Sequence, residues 1–157
     1  MKISLIVIGK TNKGFVLDGL QEYLKRLKRY IRFELVVIPD VKQSKNLTPE
    51  QLIAKEEEVL LPHIADGANT YLLDETGKQF SSMELAQFIE VKMVHGAKEL
   101  KLIVGGAYGV SNKVKSTVQG KISLSQLTFS HQMVRLILVE QIYRAMTILR
   151  GEPYHHQ

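Results

Sequence analysis

Apolar and polar positions along this chain switch repeatedly between two periods. Lys2 to Ile8 is an apolar run rich in β-branched residues, which predicts a strand buried on both faces. Phe33 to Ile38, closed by Pro39, and the shorter runs Thr70 to Leu73, Leu100 to Val104 and Ile122 to Leu124 predict four more strands. Between them the apolar residues recur at helical spacing. Phe15, Leu20, Tyr23, Leu24, Leu27 and Ile31 mark one helix. Thr48-Pro49-Glu50-Gln51 opens a second, expected to fray or break by Pro62. Ser81 and Glu84 box the start of a third, with Leu85, Phe88, Ile89 and Met93 as its apolar face and Gly96 as its stop. A short helix is expected from about Ser111, and a long one begins near His131. Strand and helix alternating in this way predict a single α/β domain over residues 1–157, with a mostly parallel sheet and helices on both faces.

The last helix segregates poorly. Arg135, Glu140, Gln141, Arg144, Thr147 and Arg150 spread around more than half of its circumference, with Leu136, Ile137, Tyr143 and Ile148 among them. One side packing on the sheet and part of the other on a second copy would account for this, so a homodimer is expected. The alternative is a buried helix in a monomer, in which three arginines and a glutamate need partners in the core. Gly151 and Pro153 end the helix, and Tyr154, His155, His156 and Gln157 follow as a polar tail.

Composition narrows the chemistry. There is no cysteine, hence no thiol nucleophile, thiolate metal site or disulfide, which suits a reducing cytoplasm. The apolar start is too short for a signal peptide and no segment reaches membrane-spanning length, so a soluble, intracellular protein is expected. A net charge of +5 favours a polyanionic partner. Lys25, Arg26, Lys28, Arg29 and Arg32 crowd the end of the first helix, where the helix dipole alone already favours cations; a phosphate-contacting patch is the functional alternative.

Ligands of parallel sheets bind beyond the carboxyl ends of the strands, here after Leu73, Val104 and Leu124. Gly105-Gly106-Ala107-Tyr108-Gly109 lets a ligand approach the main chain, yet it is neither a dinucleotide fingerprint nor a phosphate loop. The bend Leu124-Ser125-Gln126-Leu127-Thr128-Phe129 offers main-chain donors and acceptors between apolar side chains, which suits a flat heteroaromatic ring such as adenine. The five histidines show no metal spacing, and His131 is expected to have a structural role at the helix start. A nucleotide-like pocket with few catalytic side chains fits a reaction whose cofactor is already reactive.

Taken together, Gly105 to Gly109, Leu124 to His131, Glu140-Gln141-Ile142-Tyr143-Arg144-Ala145 and the ending Pro153-Tyr154-His155 closely resemble the SPOUT-class pseudouridine N3-methyltransferases of bacterial large-subunit (23S) ribosomal RNA. The resemblance covers essentially the whole chain. It implies a trefoil knot in the C-terminal half, a homodimer, S-adenosylmethionine in the knot, a cytoplasmic location and action on rRNA within assembled ribosomes, with no metal, membrane or DNA. By the same resemblance Leu73, Gly105, Leu124, Ser125, Gln126, Leu127, Thr128 and Phe129 form the cofactor pocket, and Tyr154 with His155 the target-base end. Ser130 stands where members often carry proline, and His156 where they commonly carry arginine or lysine.

His155 is the first candidate for the base that removes the N3 proton, because its free pKa lies near neutrality. Arg144 and His156 are expected on the substrate side, with Arg135 and Arg150 as further phosphate candidates; pairing of these arginines with Glu140 is the competing role. Two other classes fit the same residues: a SPOUT-type enzyme with a different RNA target, and a basic ribosome-binding protein without catalysis.

Overall fold

The computed structural model describes residues 1–42 and 44–156; Gln157, the end of the polar tail, lies outside them. Its elements are β1 (Lys2–Ile8), α1 (Phe15–Leu27), β2 (Arg32–Ile38), α2 (Pro49–Ile64), β3 (Thr70–Gln79), α3 (Ser82–Val94), β4 (Glu99–Val104), α4 (Asn112–Thr117), β5 (Gly120–Ser123) and α5 (Met133–Leu149). The strands form one five-stranded sheet in the order β2-β1-β4-β3-β5, and every pairing is parallel. The expected mostly parallel sheet is therefore wholly parallel.

Period-two alternation decides which helix goes to which face. Ile3, Leu5 and Val7 of β1 meet Leu20 and Leu27 of α1, Leu85 and Ile89 of α3, and Leu138, Val139 and Ile142 of α5. Ile6 and Ile8 face the opposite way, onto Leu60 and Ile64 of α2 and Val114 of α4. α1 and α4, which follow the adjacent strands β1 and β4, thus lie on opposite faces.

Local chemistry sets the helix starts. Thr48 with Gln51 and Ser81 with Glu84 both form complete capping boxes, and the Ser111 hydroxyl accepts from the Val114 amide. Gly96, at φ +73°, follows the end of α3 in the left-handed conformation that favours glycine. Three expectations change. α2 runs through Pro62 to Ile64, because Pro62 is solvent-exposed while Leu60 and Ile64 on either side are fully buried. Their burial, about 1.5–3 kcal/mol each, outweighs the lost helix bond. β3 does not stop at Leu73: its pairing with β5 shifts register and resumes at Lys78 and Gln79. Gly77 makes this possible, since a β-carbon there would lie 2.6 Å from the Lys121 carbonyl carbon. Finally, α5 begins at Met133 rather than His131, with the Ser130 hydroxyl accepting from the Met133 amide at 3.1 Å.

Candidate active site

Beyond the carboxyl ends of β3, β4 and β5 lies a cavity of about 590 Å³, open to solvent on one side. Its back wall is Val104-Gly105-Gly106, which leaves the strand with no room for side chains. A β-carbon on Gly105 would lie 2.7 Å from a Val110 methyl, and one on Gly106 would lie 2.4 Å from a Glu56 carboxylate oxygen. Gly109, at φ +84°, turns the loop, and its amide donates to the Gly106 carbonyl at 3.1 Å.

The facing wall is the bend after β5. The Ser123 hydroxyl donates to the Ser125 carbonyl at 2.9 Å, and the Leu127 amide donates to the Ser125 hydroxyl at 2.9 Å. The Thr128 hydroxyl donates to Glu75 at 3.0 Å, tying the bend to the loop within β3. Leu73, Gly105, Leu124, Ser125, Leu127, Thr128 and Phe129 all line the cavity, and Gln126 is exposed outside its lining. Leu127, 73% exposed, stands at the rim.

Several lining residues escaped the pattern reading. Asp74 accepts from the amide and hydroxyl of Thr76, which hold its carboxyl below the usual range, with Lys121 and Lys115 adding to the effect. Its place directly after Leu73 was the available signal. His131 also lines the cavity, and burial, then the nearby Arg135 guanidinium, lowers its pKa. That keeps the imidazole neutral near pH 7.

Arg135 itself is fully buried. It donates to the carbonyls of Ile8 at 2.7 Å, Gly9 at 2.9 Å and His131 at 2.9 Å, and to the Thr11 hydroxyl at 3.2 Å. A guanidinium so occupied fixes the start of α5 to the end of β1 and is unavailable to phosphates, contrary to the sequence expectation. Arg144 pairs with Glu140 one turn away at 2.7 Å, and Arg150 stacks on Tyr30. The polar residues of α5 therefore find partners within one chain.

The tail turns back along α5. Tyr154 donates to Glu140 at 3.0 Å, so Tyr23, at 3.1 Å, donates to Tyr154. Burial, followed by these two bonds, raises the Tyr154 pKa and keeps the hydroxyl a phenol. Its ring meets Tyr143 edge-on at 4.8 Å and lies under the Arg144 guanidinium at 4.8 Å. Glu152 accepts from Tyr30. His155 is half-buried with Nδ1 lacking a partner, and His156 is exposed. None of Arg144, Tyr154, His155 or His156 lines the cavity. The seventeen residues of α5 separate the two ends by about 25 Å.

Beside the tail a recess is lined by Glu22, Lys25, Arg26, Arg29 and Tyr143. Arg26 is held by Glu22 at 2.9 Å and by the Tyr23 ring. Lys25, Lys28, Arg29 and Arg32 are exposed and, among the described residues, enter no ion pair.

This arrangement has relatives. A family profile described as "Predicted SPOUT methyltransferase" matches residues 1–155. The chain belongs to the SPOUT methyltransferase family. This SPOUT methyltransferase is 53% identical, over the full length of both chains, to the "Ribosomal RNA large subunit methyltransferase H" of Parabacteroides distasonis. Proteins of the same name from Bacteroides fragilis and Porphyromonas gingivalis are 49% and 46% identical, again over the full length of both. Among solved structures, a probable methylase family protein from Haemophilus influenzae Rd KW20 superposes with a TM-score of 0.54 at 10% identity, over 99% of this chain and 70% of the other. That likeness supports the fold alone. The family implies S-adenosylmethionine as methyl donor and the knotted topology. Among the described residues no cluster of side chains could hold a metal ion, and no helix is long and apolar enough to cross a membrane.

Proposed function

We propose that this chain is a homodimeric, S-adenosylmethionine-dependent enzyme that methylates N3 of a pseudouridine in 23S rRNA within assembled ribosomes, and so acts in the cytoplasm. The observation that carries this is the cavity walled by Gly105-Gly106 and the bend Leu124 to Phe129, in a chain whose relatives over their whole length are named rRNA large subunit methyltransferases.

The cavity fits the cofactor on three counts. Its volume is that of a small-molecule site. Two glycines clear the main chain for close approach, and the bend supplies main-chain groups between Leu124, Leu127 and Phe129 for an adenine edge. When bound, S-adenosylmethionine supplies an electrophilic methyl group on a sulfonium. The protein's remaining tasks are to hold the base edge in line and to take its N3 proton.

His155 takes that proton through an unprotonated ring nitrogen, and Tyr154, locked on Glu140 and Tyr23, positions it. Arg144 and His156 face the RNA. Because none of Arg144, Tyr154, His155 and His156 lines the cavity of its own chain, the tail of a second copy completes the site. Two α5 helices packed antiparallel would bring each tail to the other chain's cavity. The unpaired cations at and after the end of α1, beside the tail, then reach RNA phosphates.

The deciding experiment is nucleoside mass spectrometry of large-subunit rRNA. The purified protein and S-adenosylmethionine are incubated with ribosomes from a strain lacking the gene, and with naked rRNA in parallel. A new methylpseudouridine in the ribosome sample alone is expected. Its absence from both samples, with cofactor bound, would sink the proposed substrate.

A further inference from the structure

Glu56 is an acidic residue that the fold buries without using. It sits on α2 with 6% of its surface exposed, and no donor among the described residues reaches its Oε2. Its carboxyl fills the space in front of Gly106, where a β-carbon would lie 2.4 Å from one oxygen and 2.5 Å from the other. Gly106 is in turn a wall of the cavity. One glycine's main chain therefore stands between this carboxyl and the ligand space. A buried carboxylate left without a partner is costly, and an apolar side chain there would pack beside Leu60 at no such cost.

The charges around Glu56 do not explain it away. Burial raises its pKa, and Asp40, from the connection between β2 and α2, raises it further. Arg135 on α5 and His131 just before it sense Asp40, and Lys113 on α4 lies 3.9 Å from Glu57 rather than beside Glu56.

We propose that Glu56 places a buried negative charge behind the glycine wall, which holds the positively charged methyl donor in preference to its neutral-sulfur product and so speeds cofactor exchange after each transfer. This rests on the cofactor reading above. In the reaction the S–CH₃ bond breaks and its electron pair stays on sulfur, the N–CH₃ bond forms, and the N3 proton passes to the base. The cofactor thereby loses one positive charge at one atom. Its adenosine and amino-acid parts are common to donor and product, so contacts to them cancel in the ratio of the two affinities. A fixed charge within about 10 Å, at an effective dielectric near ~20, shifts that ratio by on the order of tenfold.

The test is calorimetric titration of S-adenosylmethionine and S-adenosylhomocysteine into the unaltered chain, Glu56→Gln and Glu56→Asp. Glu56→Gln is expected to weaken the methionine compound about tenfold and the homocysteine compound less than about twofold. Glu56→Asp should keep the preference. Equal weakening of both compounds, or of neither, overturns the proposal. Should Glu56→Gln not fold, the ratio is followed in the unaltered chain and in His131→Asn from about pH 5 to about pH 9. The preference for the charged donor should rise with pH in both; a flat ratio, or a rise abolished by His131→Asn, overturns the proposal. If the unaltered chain binds neither compound, the cofactor reading itself falls, and this inference with it.

Discussion

At Gly106 the absence of a side chain serves two neighbours at once: the cavity on one side and the Glu56 carboxyl on the other. Gly106→Ala should therefore lower stability by about 1–3 kcal/mol, as overpacking of a filled site does. Chemical denaturation measures it, and adding Glu56→Ala, which clears the space, should restore part of the loss in a double-mutant cycle. Independent effects of the two changes would show that the contact is not shared. The protonation of Glu56 makes a second prediction. Folding raises its pKa, so the folded chain gains stability where the group is protonated, and that gain is fully present only below the unfolded value of about 4.3. It is lost as pH rises through the higher folded value. Glu56→Gln, which is always neutral, should accordingly denature at higher urea than the unaltered chain at neutral pH, and the two should converge near about pH 4. A midpoint difference that does not change with pH would assign Glu56 a packing role only. Side-chain placements of this kind are invisible in sequence. Glu56 falls in an ordinary run of glutamates, and nothing in its neighbours says that this one turns inward. Arg135 misled for the same reason: its spacing put it on a polar position of α5, whereas the end of β1 offers it carbonyls that only the folded chain brings close.

The elements themselves were far more legible. Both capping boxes, the Ser111 cap and the Gly96 stop stand where their residues foretold, because caps and left-handed stops are settled within one turn of chain. Where long-range packing competes with local preference, the reading slipped. Pro62 breaks a helix in isolation, but Leu60 and Ile64 hold it against the sheet. The resumption of β3 depends on Gly77 lying against β5, a residue pair more than forty positions apart. Pro62→Ala follows from the first case. A proline in a helix interior loses about 3 kcal/mol, offset by about 1 kcal/mol from its restriction of the unfolded chain. The substitution should raise stability by about 1–2 kcal/mol, or the melting temperature by a few degrees. A fall instead would show that the helix had relaxed fully around the proline.

For the whole molecule the sequence named parts of a site and could not say how the parts meet. Six residues of the bend were expected around the cofactor, and all but Gln126 line the cavity. The tail was expected at the same site, yet none of Tyr154, His155 and His156 lines the cavity of its own chain. The internal pairing of Arg144 with Glu140 and the clamp of Arg135 also remove the argument that unsatisfied polar groups on α5 call for a second copy. What calls for one is the absence of the tail from its own chain's cavity. This makes a prediction that single variants cannot: a chain with a blocked cavity and an intact tail should rescue one with an intact cavity and a damaged tail. Gly106→Val supplies the first and His155→Ala the second, each inactive as a homodimer. Mixed by unfolding and refolding together, half of the dimers are heterodimers at random assortment, and each has one cavity with a sound tail from its partner. Activity of about one quarter of the unaltered enzyme should appear, because one of two sites works in about half of the dimers. If each chain used its own tail, the same heterodimer would contain no complete site, since one chain lacks the cavity and the other the base. Rescue thus separates a shared site from a self-contained one, and sizing before and after mixing shows that dimers are the species assayed.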